Sequence, residues 1–325
     1  MTGRYVDVLR AGALTTVQDL GRPGHAHLGV ARAGALDGPA HRIANRLVGN
    51  PADAATLEAT VNGCAVRAGC PLVAAVTGAP CPVRVDGRPA AWGAPVYLPP
   101  GAVLELGRVT AGVRAYLALA GGVAPAPVLG SRSADLLSGL GPGPLRDGDR
   151  LPVGAPYGDP AAVDTVPLPG PPTELVVPVI PGPRTDWFAP DALRTLAAGA
   201  YTVSPASNRI GLRTDGPALP RARDGELPSE GMVLGAVQVP PDGRPVIFLA
   251  DHPTTGGYPV IGVVPEASLA SAAQAAPGMP VRFVPVGRDG VAAGSRRRGG
   301  DSAATAATAE RCAASSSAAQ EPAAR

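Results

Sequence analysis

The chain contains no lysine: all 28 basic residues are arginine. That absence excludes a Schiff-base lysine, the phosphate-gripping lysine of a P-loop, and a biotinyl-lysine carried on this polypeptide. Aromatic residues make up only 3% and charged residues 17%. Six arginines and four acids fall in 288–325, which leaves 22 against 22 in the remainder. A neutral body with few aromatics has no electrostatic footprint for nucleic acid, and the triplet Arg296 to Arg298 reads as part of a solvated tail. Cysteine is sparse as well. Cys64, Cys70, Cys81 and Cys312 lack CxxC spacing, and no cysteine lies near His25 and His27, so no metal site is expected. Cys64 and Cys70 read as small hydrophobes packed in or beside apolar strands. Met1 to Arg10 has no basic-then-apolar signal pattern, and no apolar run approaches ~18 residues. The expectation is a soluble cytoplasmic protein with reduced thiols and no membrane partner.

Glycine (43) and proline (39) are abundant, and hydrophobic residues reach 45%. This punctuation favours many short strands over long helices, with enough apolar material for a large core. The 325 residues have room for two domains of ordinary size. Alternating or apolar segments of five to eight residues recur through the first half: YVDVL, ATLEATVNG, PLVAAVTG, PVRVDG, APVYL, AVLELG and VRAYLALA. Their spacing is that of an antiparallel sandwich or barrel. One helix interrupts them. Asp37 is its N-cap, Gly38 and Pro39 open it, and Ala40, Ile43, Ala44, Leu47 and Val48 keep helical spacing up to Gly49 and Asn50. LGSRSADLL reads as a short helix start capped by Ser133.

Residues 155–172 are Pro- and Gly-rich without periodicity and read as a linker between a first domain (1–154) and a second (173–287). The second half repeats the strand pattern, with helices expected from Pro190 to about Ala198 and over EASLASAAQAAPG. Residues 288–325, mostly Ala, Ser, Gly and Arg, are expected to be disordered.

One stretch organises the second half: SEGMVLGAVQVPPDGRPVIFLADHPTTGGYP, from Ser229 to Pro259. Val233, Val237 and Val239 share one face of a predicted strand. A Pro-Pro-Asp-Gly turn leads into the buried-length run VIFLA. Asp251, His252, Thr254, Thr255, two glycines and Tyr258 then follow at its end. Polar groups on a Gly-rich loop after a buried strand can be aimed at a ligand, or can simply satisfy the turn.

The candidate catalytic groups are the loop carboxylates Asp19, Glu230 and Asp251, with His252 as a general base whose ordinary pKa lies near neutrality. Candidate substrate contacts are Gln18, Arg22, Asp37, Asn45, Arg114, Arg209, Gln238, Thr254, Thr255 and Tyr258. The arginines suit carboxylate or phosphate oxygens bidentately. Each has a structural alternative. Asn45 is either a bonded core amide or a site residue, and Arg114 fits a carboxylate partner as well as a ligand. Glu58, inside an apolar strand, needs a cationic partner, for which Arg22 and Arg114 are the candidates.

TTVQDLGRPG, AGALDGPAHRIANRLVGN, GVRAYLALAGG, LGSRSADL, SEGMVLGAVQVPPDGRPVIFLAD and TTGGYP occur in an order that resembles the biotin-dependent carboxyltransferase family, subdomains A and B. The resemblance covers about residues 4–286. It implies a mainly β fold of two cyclophilin-like β-barrel domains with a few short helices. It also implies a role as the C-type component of an ATP-dependent 5-oxoprolinase, inactive alone. ATP would be shared with a carboxyltransferase-like companion chain of B type and, as an open option, with a third chain of A type. The family offers two alternatives: the carboxyltransferase part of a urea carboxylase, with biotin on a partner chain, and a non-enzymatic antagonist of a kinase inhibitor. Two positions depart from the family pattern. Asn208 stands where the family often has Asp, and His252-Pro253 stand in place of Arg-Gln.

Overall fold

A computed structural model describes residues 3–287 apart from 164, 168, 169, 171 and 226. The expected tail lies outside the described residues. The protein is mainly β, with three short α-helices among the described residues. The first half holds β1 (Tyr5–Arg10), β2 (Leu14–Gln18), α1 (Gly38–Leu47), β3 (Thr56–Thr60), β4 (Ala65–Ala68), β5 (Leu72–Gly78), β6 (Val83–Val85), β7 (Arg88–Ala90), β8 (Pro95–Leu98), β9 (Val103–Leu106), β10 (Arg114–Leu119) and β11 (Arg150–Pro152). They form two antiparallel sheets, ordered β11-β1-β4-β9-β6-β7 and β2-β3-β10-β5-β8.

One buried cluster joins the two sheets, with Val6, Val8, Leu57, Val66, Leu104, Leu117 and Leu119 among its members. β10 shows how sequence sets this packing. Ala115, Leu117 and Leu119 alternate into that core, while Tyr116 and Ala118 turn to the other face and meet Ala40, Ala44 and Leu47 of α1. The small Ala118 lets the helix lie close on the sheet. α1 begins where the sequence predicts, with Asp37 Oδ1 accepting the Ala40 amide at 3.0 Å. Such a cap contributes about 1 kcal/mol.

The second half holds β12 (Leu175–Pro181), α2 (Ala192–Ala198), β13 (Tyr201–Val203), β14 (Gly211–Asp215), β15 (Glu230–Gly231), β16 (Ala236–Gln238), β17 (Val246–Phe248), β18 (Thr255–Gly256), β19 (Val260–Val263), α3 (Glu266–Ala273) and β20 (Pro280–Pro285). Seven of these strands close a barrel in the order β12-β19-β16-β17-β14-β13-β20. β12 and β20 pair in parallel, and β15 and β18 form a separate ribbon. The barrel core includes Val177, Val179, Leu212, Val237, Ile247, Ile261 and Phe283. Leu36, from the first half, is buried in the same cluster and pegs the halves together.

Two local readings change. LGSRSADLL forms no helix. The Ser131 and Ser133 hydroxyls both donate to Asp19 at 2.6 Å, so Ser133 is committed to a distant carboxylate instead of a helix end. The strand expected through Val233 breaks into β15 and β16. Gly235 turns between them at φ +82, where a Cβ would lie 2.3 Å from the Val264 carbonyl oxygen, and Val233 is left exposed.

Candidate ligand site between the two halves

Glu58 on β3 is 1% exposed and has both oxygens directed at donors. Its Oε2 accepts the Tyr116 hydroxyl at 2.7 Å and the Leu36 amide at 3.0 Å. Its Oε1 accepts Arg209 Nη1 and lies 3.6 Å from Arg114 Nε. Arg209 precedes β14 in the other half. Its Nε and Nη2 grip Asp251 bidentately at 3.0 and 2.9 Å, and Nη2 also donates to the Gly34 carbonyl at 2.7 Å. Arg209 is therefore a bolt between the halves, and Arg209 joins Arg114 as the partner that Glu58 requires. Two acids and two arginines balance in a dry seam. Burial alone would push the Glu58 carboxyl up, but Arg209 and then Arg114 outweigh it and hold the group below the usual carboxylate range. Burial works against the Arg209 charge, and Glu58 and Asp251 override it and raise its pKa.

Gln274, just beyond α3, completes the seam. Its amide nitrogen donates to Asp37 Oδ2 at 2.8 Å and to the Arg114 carbonyl at 2.9 Å, and its oxygen accepts the Val113 and Arg114 amides at 3.0 Å each. Arg114 returns a bond from Nη1 to the Ala273 carbonyl. The C-terminal end of α3 is thereby tied to β10 and, through Asp37, to the start of α1. Burial raises the Asp37 pKa, opposed by Gln274 and the Ala40 amide.

The other predicted residues are dispersed. Asp19 accepts Ser131, Ser133 and the amides of Gly21 and Arg132. Arg22 is buried beside it, donating to the carbonyls of Ser133 and Val128. Its Nη1 has no partner among the described residues, nor has Oε1 of buried Gln18. Asn45 lies in the core, donating to the Ala54 carbonyl at 2.7 Å and accepting from Asn50 at 3.0 Å. His252 is buried, stacked on Phe248 at 5.6 Å, with Nδ1 2.8 Å from the Pro253 carbonyl oxygen. Burial lowers its pKa below the ordinary 6.5. Glu230 pairs with Arg184 and sits in register with Gly256, on the ribbon that also holds Thr255. Thr254 accepts the Met232 amide through its carbonyl, Tyr258 is half-buried, and Gln238 is buried on β16. Among the described residues no hydrogen bond joins the Glu230 ribbon to Asp19 or Asp251.

A cavity of about 400 Å³ opens between the halves. Leu20, Arg32, Leu36 and Arg42 come to it from one side, and Leu234, Leu249, Ala250, Glu266 and Ala270 from the other. Arg32 Nη1 meets Glu266 Oε1 at 3.1 Å across the gap. None of the predicted site residues lines it, yet several stand directly behind its wall: Asp19 precedes Leu20, Asp37 follows Leu36, and Asp251 follows Ala250. The seam and the cavity thus lie side by side, and each half supplies one wall of the cavity.

Arg32, Arg42 and Glu266, which the sequence reading missed, are the ionisable groups of the lining. Arg32 and Glu266 are 234 positions apart, so only tertiary structure brings them together. The lining holds no Ser, Thr, Cys or His. The thiols of Cys64 and Cys81 are pushed up to about 12 and about 11 by burial and are protonated at neutral pH. The cavity offers no hydroxyl, thiol or imidazole nucleophile of its own. Among the described residues no His, Cys, Asp and Glu group is arranged to hold a metal ion, and no helix is long and apolar enough to cross a membrane.

Comparison with known proteins places the chain. Residues 28–285 match the family described as the carboxyltransferase domain, subdomain A and B. The chain is 40% identical over 284 residues to the 5-oxoprolinase C subunit of Escherichia coli (strain K12), covering 85% of this chain and 90% of that one. The crystal structure of TTHA0988 superposes with a TM-score of 0.79 at 38% identity, over 87% of this chain and 56% of the other. The K. lactis urea amidolyase gives a TM-score of 0.81 at 31% identity, over 87% of this chain and only 19% of that protein. A match of this extent, in sequence and in backbone, identifies the chain as a member of the carboxyltransferase-domain family, subdomains A and B.

Proposed function

We propose that the chain is the C-type component of an ATP-dependent 5-oxoprolinase and that the cavity between its halves holds the amide substrate. The observation that carries this reading is the 40% identity to a 5-oxoprolinase C subunit over 90% of that protein's length. The cavity supports it from the chemical side. Its apolar walls suit the methylenes of a small ring, its arginines suit polar oxygens, and it lacks a hydroxyl, thiol or imidazole nucleophile. A chain of this kind binds and orients, and its catalytic partners complete the reaction.

A P-loop nucleotide site is not available on this chain. There is no lysine and so no P-loop. The two helices that start at the cavity already carry carboxylates where a phosphate would sit: Asp37 caps α1, and Glu266 lies in the first turn of α3. ATP is therefore assigned to the partner chains, and no step on this chain runs through it. Here Arg32 and Arg42 orient the substrate, Leu36, Leu234 and Leu249 exclude water from its ring, and the seam behind them keeps the walls in place.

The test is to purify the chain with the products of its neighbouring genes and to measure glutamate release from 5-oxoproline with ATP. Turnover in the mixture and none with this chain alone is expected. No turnover in the complete mixture rejects the reading. A second reading rests on the backbone likeness to urea amidolyase: the chain passes CO₂ from carboxybiotin to urea. The missing lysine requires the biotin to arrive on another chain. Urea-dependent discharge of a carboxybiotinyl carrier, without glutamate release, would select this alternative.

A further inference from the structure

We propose that the cavity selects a small amide that bears a carboxylate, that Arg32 and Arg42 hold this carboxylate, and that Glu266 is its internal stand-in in the unliganded protein. This rests on placing the substrate in the cavity, as above, and adds which part of it is read and by which side chains.

The buried seam is neutral, with Glu58 and Asp251 set against Arg114 and Arg209. The cavity has two guanidinium groups and one carboxylate, an excess of one positive charge. A neutral amide such as urea leaves that excess in place. A carboxylate-bearing amide cancels it while Glu266 stays at the mouth, and takes over the pairing with Arg32 when Glu266 swings away.

Neither arginine of the cavity is fully partnered. Arg42 has no carboxylate within 4.0 Å among the described residues. Arg32 uses one nitrogen on Glu266, a single contact at 3.1 Å, and leaves the rest of its fork unused. Contrast Arg209, which engages Asp251 through two nitrogens. A guanidinium pairs best with a carboxylate through two parallel bonds, and an entering ligand can supply what Glu266 does not.

Glu266 is free to leave. Its side chain is 67% exposed and that of Arg32 is 37% exposed. An exposed pair is held weakly, so exchange of one carboxylate for another costs little. Glu266 reaches Arg32 from the opposite half, so the exchange also removes a strut across the cavity and opens its mouth. The apolar wall below, from Leu36, Leu234 and Leu249, then receives the ring.

Binding by the full-length chain, alone and in its co-purified complex, tests this by calorimetry with three probes: 5-oxoproline, its neutral carboxamide and urea. 5-Oxoproline should bind about tenfold or more tighter than the carboxamide, the difference of one charged contact. Arg32→Gln and Arg42→Gln should each erase most of that preference, weakening 5-oxoproline binding far more than carboxamide binding. Glu266→Gln should tighten 5-oxoproline binding a few-fold, a gain that loss of a mere structural brace would not give. Equal affinity for acid and carboxamide, preference unchanged in both arginine variants, or no carboxylate binding at millimolar concentration would each overturn the proposal. The two ideas fail separately. Carboxylate preference without glutamate release in the reconstituted mixture sinks the assigned activity alone. Glutamate release in the mixture, with a carboxylate preference that both arginine variants retain, sinks this inference alone.

Discussion

Glu58, Arg114, Arg209 and Asp251 are two acids and two arginines shut away from water, whereas Arg32, Arg42 and Glu266 are two arginines and one acid open to it. The two groups share their chemistry and both draw on the two halves of the chain. Solvation separates them. A charge removed from water is costly unless partnered, and every nitrogen of Arg209 is turned inward and spent on holding the halves together. A charge left in water can be half-partnered, and the unused half is what a ligand can take. Burial therefore makes the seam a scaffold, and exposure leaves the cavity free to bind.

Removing Arg209 should break this contrast most severely. Arg209→Met strands Asp251 as an uncompensated buried acid and leaves Glu58 only Arg114 at 3.6 Å, and such losses cost about 3–5 kcal/mol. Urea unfolding should show that drop. A change below about 1 kcal/mol would mean the seam bears no weight and the division drawn above is wrong.

A pH effect of similar size should come from His41, which is buried in α1 and bonded to Thr56 Oγ1 at 2.9 Å and to the Ala52 carbonyl at 3.0 Å. Burial lowers its pKa from 6.5 to about 4. Above pH 6.5 both folded and unfolded chains carry it neutral. Between pH 6.5 and 4 the unfolded chain binds a proton that the folded chain refuses, so stability falls as the pH drops through that window. The loss is on the order of 3 kcal/mol. His41→Gln should flatten the stability profile there. Glu58 acts lower: its folded pKa is depressed, so its contribution is present above its ordinary 4.5 and fades as the pH falls below that value. A wild-type profile with no slope between pH 6.5 and 4 would contradict the His41 assignment.

Gln274→Ala should cost less, about 2 kcal/mol, because it leaves the Val113 and Arg114 amides without their acceptor but strands no charge. It should also loosen the cavity, since α3 loses its tie to Asp37. Weaker ligand binding together with a modest stability loss is expected. Unchanged binding would show that the seam does not set the cavity width.

These cases mark what was legible in the sequence. The mainly β architecture, α1 with its Asp37 cap, and most strands could be read because periodicity and turn residues are local signals. That Glu58 needs a cationic partner followed from its place in an apolar strand, although Arg209 could not be named from the other half of the chain. The LGSRSADL segment misled because its serines point to a helix cap locally, while Asp19 claims both of them from over a hundred positions away. Arg32, Arg42 and Glu266 escaped notice because nothing nearby marks them. Arg32 lies in a loop, Arg42 is on the exposed face of α1, and Glu266 is an ordinary first-turn acid. Their convergence exists only once Leu36 seats the first half on the barrel.

The smallest effect sharpens the contrast from the other side. Arg32→Ala and Glu266→Ala break an ion pair that spans the two halves, as Arg209→Met does. If contact between halves were what mattered, all three would destabilise alike. If solvation decides, the exposed pair should contribute within about 0.5 kcal/mol, because water replaces each lost partner. Thermal unfolding of both variants should therefore overlay that of the parent, while their response to a carboxylate ligand differs in opposite directions. A stability loss of about 2 kcal/mol or more, the cost of an unsatisfied buried group, would show that Arg32 and Glu266 belong to the scaffold after all and that the cavity is closed by design.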